Sequence, residues 1–101
     1  KGPQKSPGML ERHYAPDLPI RLEVIEPRPY EAFLAFGPSL YFANLNLSST
    51  GNLSEAAANL FSMIRQVDGP PFKGIAVMPI PNHGLGRAIN DRLNRAAKKR
   101  E

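Results

Sequence analysis

The stretch GIAVMPI-PNHG-LGRAINDRLNRAA, residues 74–97, decides the fold. Its first seven residues are apolar, partly β-branched and too few for a buried helix, so they predict a strand covered on both faces. Turn-forming residues occupy 81–84. Apolar side chains then recur at helical spacing and form one stripe: Leu85, Ala88, Ile89, Leu93, Ala96 and Ala97. A strand, a tight glycine turn and an amphipathic helix make half of a βαβ unit.

Arg92 interrupts this stripe. At about 100° per residue it is expected to project into the middle of the apolar face. An arginine in that position must extend its charge to solvent or meet a carboxylate, because an unpaired buried charge is too costly. Two interpretations stay open: an ion pair within the domain, or a face around Arg92 that docks on something outside this chain.

The preceding residues predict three strands and a helix. Residues 20–25 alternate apolar and charged, 32–36 are continuously apolar, and 42–47 alternate again, with Ala43, Leu45 and Leu47 on one face. Asn52 is expected to cap a helix, with Glu55 reaching back to complete a capping box. A glycine and two prolines at 69–71 end that helix.

The predicted order is therefore β-β-β-α-β-α, which places the chain in the α/β class. We expect a small Rossmann-like domain with a mixed or parallel sheet of about four strands and two main helices. The 47–74 crossover is long enough to join parallel strands and should be right-handed. The two earlier connections are too short for helical crossovers. The first strands are thus either antiparallel neighbours or a βαβ unit that has lost its helix.

Composition separates an arm from this domain. Four of the 11 prolines in 101 residues fall within residues 1–19, which predict an extended Pro-rich interdomain linker, and residues 20–101 form the domain. The chain has no cysteine, no run of transmembrane length and no signal-peptide pattern, which favours a cytoplasmic protein without membrane contact. Because the chain begins with Lys1, we expect that an upstream segment has been removed.

A parallel arrangement of the strands ending at Leu47 and Ile80 would open both helix N-termini at one sheet edge. Free backbone N–H groups there could bind an anion such as a nucleotide phosphate. The alternative is that the glycines only let the helix turn sharply off its strand, since the third glycine of the dinucleotide fingerprint is missing. The residues of this predicted crevice are Ser48, Ser49, Thr50, Gly51, Asn52, Asn82, His83, Gly84 and Gly86.

The sequence offers no catalytic centre of its own. Neither His13 nor His83 has partners at metal-ligand spacing, and neither a nucleophile elbow nor a P-loop occurs. We predict no catalytic residues, no metal site and no cofactor in this chain. The net charge of +4 lies largely in the last 15 residues, where a solvated helix end and a weak nucleic-acid contact are both compatible with it.

Three stretches resemble a known family. The run 6–9 with 12–16, SPGM and RHYAP, resembles the linker of the two-domain threonylcarbamoyl-adenylate synthases, the Sua-five type once described as putative translation factors. The segments 57–61 (AANLF, with Arg65 and Asp68) and 84–97 resemble that family's C-terminal domain. The helix usual between the first two strands of that domain is missing here.

The resemblance implies an accessory role. Family members carry a larger N-terminal catalytic domain of the YrdC type, which makes threonylcarbamoyl-AMP and pyrophosphate from L-threonine, bicarbonate and ATP with magnesium, for tRNA modification. Its Ser-x-Asn signature does not occur here. By resemblance, the linker helps close the catalytic pocket through Arg12, His13 and Tyr14, and the partners are that catalytic domain, a nucleotide or tRNA-modification proteins. The alternative is a free-standing α/β module that binds RNA or nucleotide.

Overall fold

The computed structural model describes residues 15–98, and most of the predicted arm lies outside them. Four strands form one sheet, and two helices follow β3 and β4. The elements are β1 (Ile20–Arg21), β2 (Glu31–Ala35), β3 (Leu45–Asn46), α1 (Leu53–Val67), β4 (Gly74–Val77) and α2 (Leu85–Lys98). The sheet order is β1-β4-β2-β3, and every pairing is parallel. The predicted α/β class, with about four strands and two helices, is confirmed.

The sheet order resolves the direction of the first strands. β1 pairs with β4, and β2 lies between β4 and β3. The connections from β1 to β2 and from β2 to β3 therefore join parallel strands without a helix, so the second alternative holds. β3 and β4 run in the same direction, as expected, but they are separated by β2 and are not a pair.

The two central strands carry the core. Every residue of β2 and β4 is buried. Ala32, Leu34, Ile75 and Val77 point towards the helices and pack against the main cluster, which includes Leu60, Ile64, Ile89 and Leu93. Phe33 and Ala76 point to the opposite face and pack with Val24. This face is covered by the two helix-free connections, because Val24 belongs to the first and Ala43, which packs on the same cluster, to the second.

β1 is shorter than predicted because Glu23 interrupts it. The register pairs Arg21 with Ala76, so a regular ladder would let the N–H of Glu23 reach the Val77 carbonyl. Val24 donates to that carbonyl instead, at 2.9 Å, and Glu23 adopts φ +57°. Glu23 is thus an extra residue, a β-bulge on an edge strand. The bulge moves Val24 to the face opposite Leu22.

β3 is shortened by a side chain. The Phe33 N–H donates to Oδ1 of Asn44 at 2.7 Å, which replaces a backbone carbonyl of the neighbouring strand. Regular pairing begins only at Leu45, which lies opposite Leu34. Ala43 packs on the Phe33 side of the sheet, whereas Leu47 is buried on the helix side. The prediction that Ala43 and Leu47 share a face is therefore wrong.

Both helix bounds match the predictions closely, but the buried stripe of α2 is rotated. Its buried residues are Gly86, Ile89, Leu93 and Ala96, while Leu85 and Ala88 are exposed. Gly86 is buried close to the Pro81 carbonyl, so the buried stripe begins at position 86 and not at 85. As a result Arg92 lies on the flank of the stripe, not in its middle.

Candidate functional site

The N-termini of the two helices meet at the carboxyl edge of the sheet. A Cβ built on Gly86 would lie 3.5 Å from Cδ2 of Leu53, the first residue of α1, and would overlap with the Pro81 carbonyl oxygen. A side chain at 86 would therefore push α2 away from its own strand. The predicted convergence of both helix starts at one edge is present, and Gly86 is the residue that permits it.

The start of α1 is closed by its own polar groups. Oδ1 of Asn52 accepts the N–H of Glu55 at 2.8 Å, which confirms the predicted cap. The other half of the capping box is wrong, since the Asn52 N–H donates to the hydroxyl of Ser48. That hydroxyl donates to Glu55 Oε1 at 2.6 Å and lies 3.3 Å from the hydroxyl of Thr50. With a carboxylate at the helix start, this geometry disfavours an anion there.

A cleft opens on the other side of α2, between this helix and the ends of β1 and β4. Its volume is about 440 Å³. It is lined by Leu22, Glu23, Met78, Ile80, Asn82, Asn90, Leu93 and Asn94. The position, beyond the carboxyl ends of parallel strands, is where open α/β sheets bind ligands.

Three carboxamides give this cleft its polarity. Asn90 and Asn94 are four residues apart and therefore lie on one flank of α2. Asn90 donates from Nδ2 to the Ile80 carbonyl at 3.0 Å and lies 3.4 Å from Oδ1 of Asn82. Asn94 donates to the carbonyl of Asn90 at 2.8 Å. The Asn90 amide thus ties the helix to the turn that follows β4.

The lining suits a neutral or cationic ligand better than a phosphate. Glu23 is exposed and is held at the cleft by the bulge, and the described residues that line the cleft include no lysine or arginine. The carboxamide and carboxylate oxygens accept hydrogen bonds from hydroxyl or ammonium groups. Met78 and Ile80 supply apolar surface beside them. Such a surface can hydrogen-bond a hydroxylated molecule, but its described lining includes no cationic group that would hold a phosphate ester.

The predicted crevice residues do not come together in one site. Asn82 lines the cleft, whereas Ser48, Thr50 and Asn52 form the closed start of α1. His83 is exposed and lies in the turn before α2, where its carbonyl accepts the N–H of Gly86 at 2.8 Å. Ser49 and Gly84 are also exposed. The polar cleft residues missed from sequence are Glu23, Asn90 and Asn94, although the i, i+4 spacing of the two asparagines was a usable signal.

Arg92 lies against the neighbouring helix. Its guanidinium carbon is 6.0 Å from the ring centroid of Phe61 on α1, and the residue stays exposed. The apolar stem packs while the charge reaches solvent, and the aromatic face adds a weak attraction. A docking role for this flank stays a prediction.

The end of the arm is fixed at the amino edge of the sheet. The carboxylate of Asp68, which caps the end of α1, accepts the N–H of Leu18 at 2.9 Å and the N–H of Asp17 at 3.0 Å. Pro16 is buried. Arg12, His13 and Tyr14, the predicted linker contacts, lie outside the described residues, but the segment that follows them is anchored.

An ion pair between a buried carboxylate and a partly exposed arginine lies at the same edge. Glu31, at the start of β2, accepts Nε of Arg21 at 2.7 Å, a second guanidinium nitrogen at 2.9 Å and the N–H of Arg28 at 2.9 Å. These hydrogen bonds, those from Arg21 above all, outweigh burial and hold the pKa of the Glu31 carboxyl below its ordinary value. The same pair raises the pKa of Arg21. The arrangement is structural, because both oxygens are already engaged.

Fold and site together define a small Rossmann-like domain with a polar cleft at the carboxyl edge of its parallel sheet. The chain belongs to the family described as threonylcarbamoyl-AMP synthase, C-terminal domain, whose model matches residues 1–98. No curated protein and no solved structure is similar enough to count as a match. Over residues 15–98, no helix has the length and apolarity to cross a membrane, and no three His, Cys, Asp or Glu residues cluster as metal ligands would.

Proposed function

We propose that this chain is the accessory C-terminal domain, with its linker, of an L-threonylcarbamoyladenylate synthase. The parent enzyme converts L-threonine, bicarbonate and ATP into threonylcarbamoyl-AMP and pyrophosphate, for threonylcarbamoyladenosine formation in tRNA. The observation that carries the proposal is the family match over residues 1–98, which spans both the predicted linker and the domain. ATP and magnesium bind the catalytic domain in this scheme, and the present chain performs no chemistry.

The task of the domain is to hold the linker at a fixed point. Asp68 binds two consecutive backbone N–H groups of residues 17 and 18, immediately after the family-like segment 12–16. A strap that closes a pocket needs a rigid attachment, because ordering a free chain at each closure costs about 1–2 kcal/mol per residue. Closure shields a reactive adenylate from water. The domain thus supplies the anchor, and Arg12, His13 and Tyr14 supply the contacts to the catalytic pocket.

The alternative, a nucleotide- or RNA-binding module, has less support. The cleft lacks a cationic side chain among its described lining residues, and Glu55 stands at the start of α1. A phosphate-binding crevice needs the opposite charge. Steep salt dependence of RNA binding by the chain would favour the module instead.

The full-length protein encoded by the source gene provides the test. We expect it to release pyrophosphate in a reaction that requires threonine, bicarbonate, ATP and magnesium. Replacing Arg12, His13 and Tyr14 together by alanine should lower kcat/KM about tenfold or more, because contacts made on closure are lost. Asp91→Asn, on the exposed side of α2, is the matched control and should leave kcat/KM unchanged. A wild-type protein without threonine-dependent pyrophosphate release would refute the proposal.

A further inference from the structure

The sheet face opposite the helices carries an unusual surface. The two connections that cover it, residues 22–30 and 36–44, place Val24 and Ala43 against the sheet. The large apolar side chains that they expose form a surface, which we call the loop face. The exposed fractions are 92% for Leu40, 80% for Phe42, 56% for Ile25, 46% for Tyr30 and 41% for Tyr41.

The connection that carries Leu40 is held in this shape. The Ser39 hydroxyl donates to the Tyr41 carbonyl at 2.8 Å and accepts the N–H of Tyr41 at 3.1 Å. A tight turn locked by its own serine points Leu40 away from the domain. The Asn44 side chain, bound to Phe33, fixes the end of the same connection. The apolar side chains are therefore presented outward by defined local structure.

Large aromatic and aliphatic side chains exposed on one side of a domain are typical of an interaction surface. Tyrosine and phenylalanine supply much of the binding energy in protein interfaces. On the helix side, by contrast, Leu85 is the one exposed large apolar residue of the described part of the two helices. This asymmetry between the two faces makes the loop face the candidate interaction surface.

The entry point of the chain indicates which partner covers it. Because all strands are parallel, Tyr30 before β2 and the clamped residues before β1 lie at the same, amino edge of the sheet. Whatever precedes residue 15 therefore joins the domain at the edge of the sheet where Tyr30, one end of the loop face, also lies. A domain linked there has a high effective concentration at that surface. In the matched family, this domain is the C-terminal one, so the linked neighbour is the catalytic domain.

We propose that the loop face, through Ile25, Tyr30, Leu40, Tyr41 and Phe42, docks on the catalytic domain that precedes this domain in the synthase. The inference rests on the proposed function. The complementary surface is apolar, with an acidic group for Arg28, whose guanidinium lies exposed 3.4 Å from the Tyr30 hydroxyl. The two domains then form one body, and the strap between them spans a fixed distance.

Hydrogen exchange and small-angle scattering of the full-length protein test this docking. The test variant is Leu40→Ser/Phe42→Ser, which alters exposed positions and should preserve the fold. Leu85→Ser, an exposed leucine on the helix side, is the matched control. We expect the test variant to speed exchange about tenfold in a surface segment of the catalytic domain and to increase the radius of gyration. The control should change neither quantity.

Three results would overturn the docking. In the first, neither the radius of gyration nor the hydrogen exchange of the catalytic domain changes in the test variant. In the second, residues 38–43 of the wild type exchange at the rate of an unprotected chain. In the third, light scattering shows a dimer that the test variant dissociates, which would assign the loop face to a second copy. The pyrophosphate assay separates the two proposals. Activity without docking refutes the docking alone, and docking without threonine-dependent activity refutes the proposed function alone.

Discussion

A methyl group on Gly86 would overlap with the carbonyl oxygen of Pro81, five residues earlier in the chain. The oxygen belongs to the backbone of the β4–α2 turn and cannot swing aside as a side chain could. We therefore expect Gly86→Ala to lower the free energy of unfolding by about 3 kcal/mol, the upper part of the range for overpacked cores. Urea unfolding followed by circular dichroism measures the change.

Gly84 is the matched control for this substitution. It has φ +55° and open space around its missing Cβ, so alanine there meets only the left-handed backbone cost of about 1 kcal/mol. Equal losses for the two variants would show that conformation, and not the close approach to Pro81, makes glycine necessary at 86.

Glu31 links stability to pH. Its folded-state pKa lies below the unfolded value of 4.5, so its contribution is present above that value and is lost as the pH falls through the folded pKa. Glu31→Gln should cost about 1–3 kcal/mol at pH 7, because hydrogen bonds to a buried carboxylate are lost. The difference from the wild type should shrink at pH 3.

Urea unfolding at pH 7 and pH 3 measures both quantities. Glu26→Gln, at an exposed position in the connection that precedes β2, should behave as the wild type at each pH. A difference for Glu31→Gln that is as large at pH 3 as at pH 7 would contradict the ion-pair explanation.

At the scale of the element, the bulge in β1 leads to a prediction that could not be made from the sequence alone. Glu23 holds a left-handed backbone that costs a non-glycine residue about 1 kcal/mol. Glu23→Gly should therefore raise the free energy of unfolding by about 0.5–1 kcal/mol. Glu26 is also exposed but does not have a positive φ, so Glu26→Gly should lower the free energy of unfolding or leave it unchanged. Thermal and urea unfolding distinguish the two, and a destabilised Glu23→Gly would argue against the bulge.

The helices were predictable because their signals are local. Asn52 and the 69–71 break stand within a turn of the helix they bound, and the bounds of α1 follow. The edge strands were not predictable, because their ends depend on contacts outside the strand itself. Val24, instead of Glu23, donates to the Val77 carbonyl, and the Asn44 side chain accepts the N–H of Phe33. The same holds for the cleft. Asn82 was named from its turn, whereas Glu23 reaches the site only because β1 lies beside β4.

At the scale of the whole molecule, the two faces of the sheet are covered in different ways. Helices α1 and α2 cover one face, and the two helices contact each other through Phe61 and Arg92. The other face is covered by connections without helices, which leave Leu40 and Phe42 exposed. The helix-covered face is packed within the domain, and the loop face is the one for which we propose a neighbour. The docking and synthase experiments are therefore measurements on the full-length protein.

The position of β4 also bears on how the domain is made. β1 and β2 both pair with β4, whose residues follow theirs in the chain by more than 40 positions. On the ribosome, β1 has no partner until β4 has emerged, and β2 has only the two-residue β3. Contacts this distant delay the ordering of a chain. We expect the polypeptide to leave the ribosome as an unordered nascent segment, with Phe33 and Leu34 open to chaperones, until a single late strand assembles the sheet around itself.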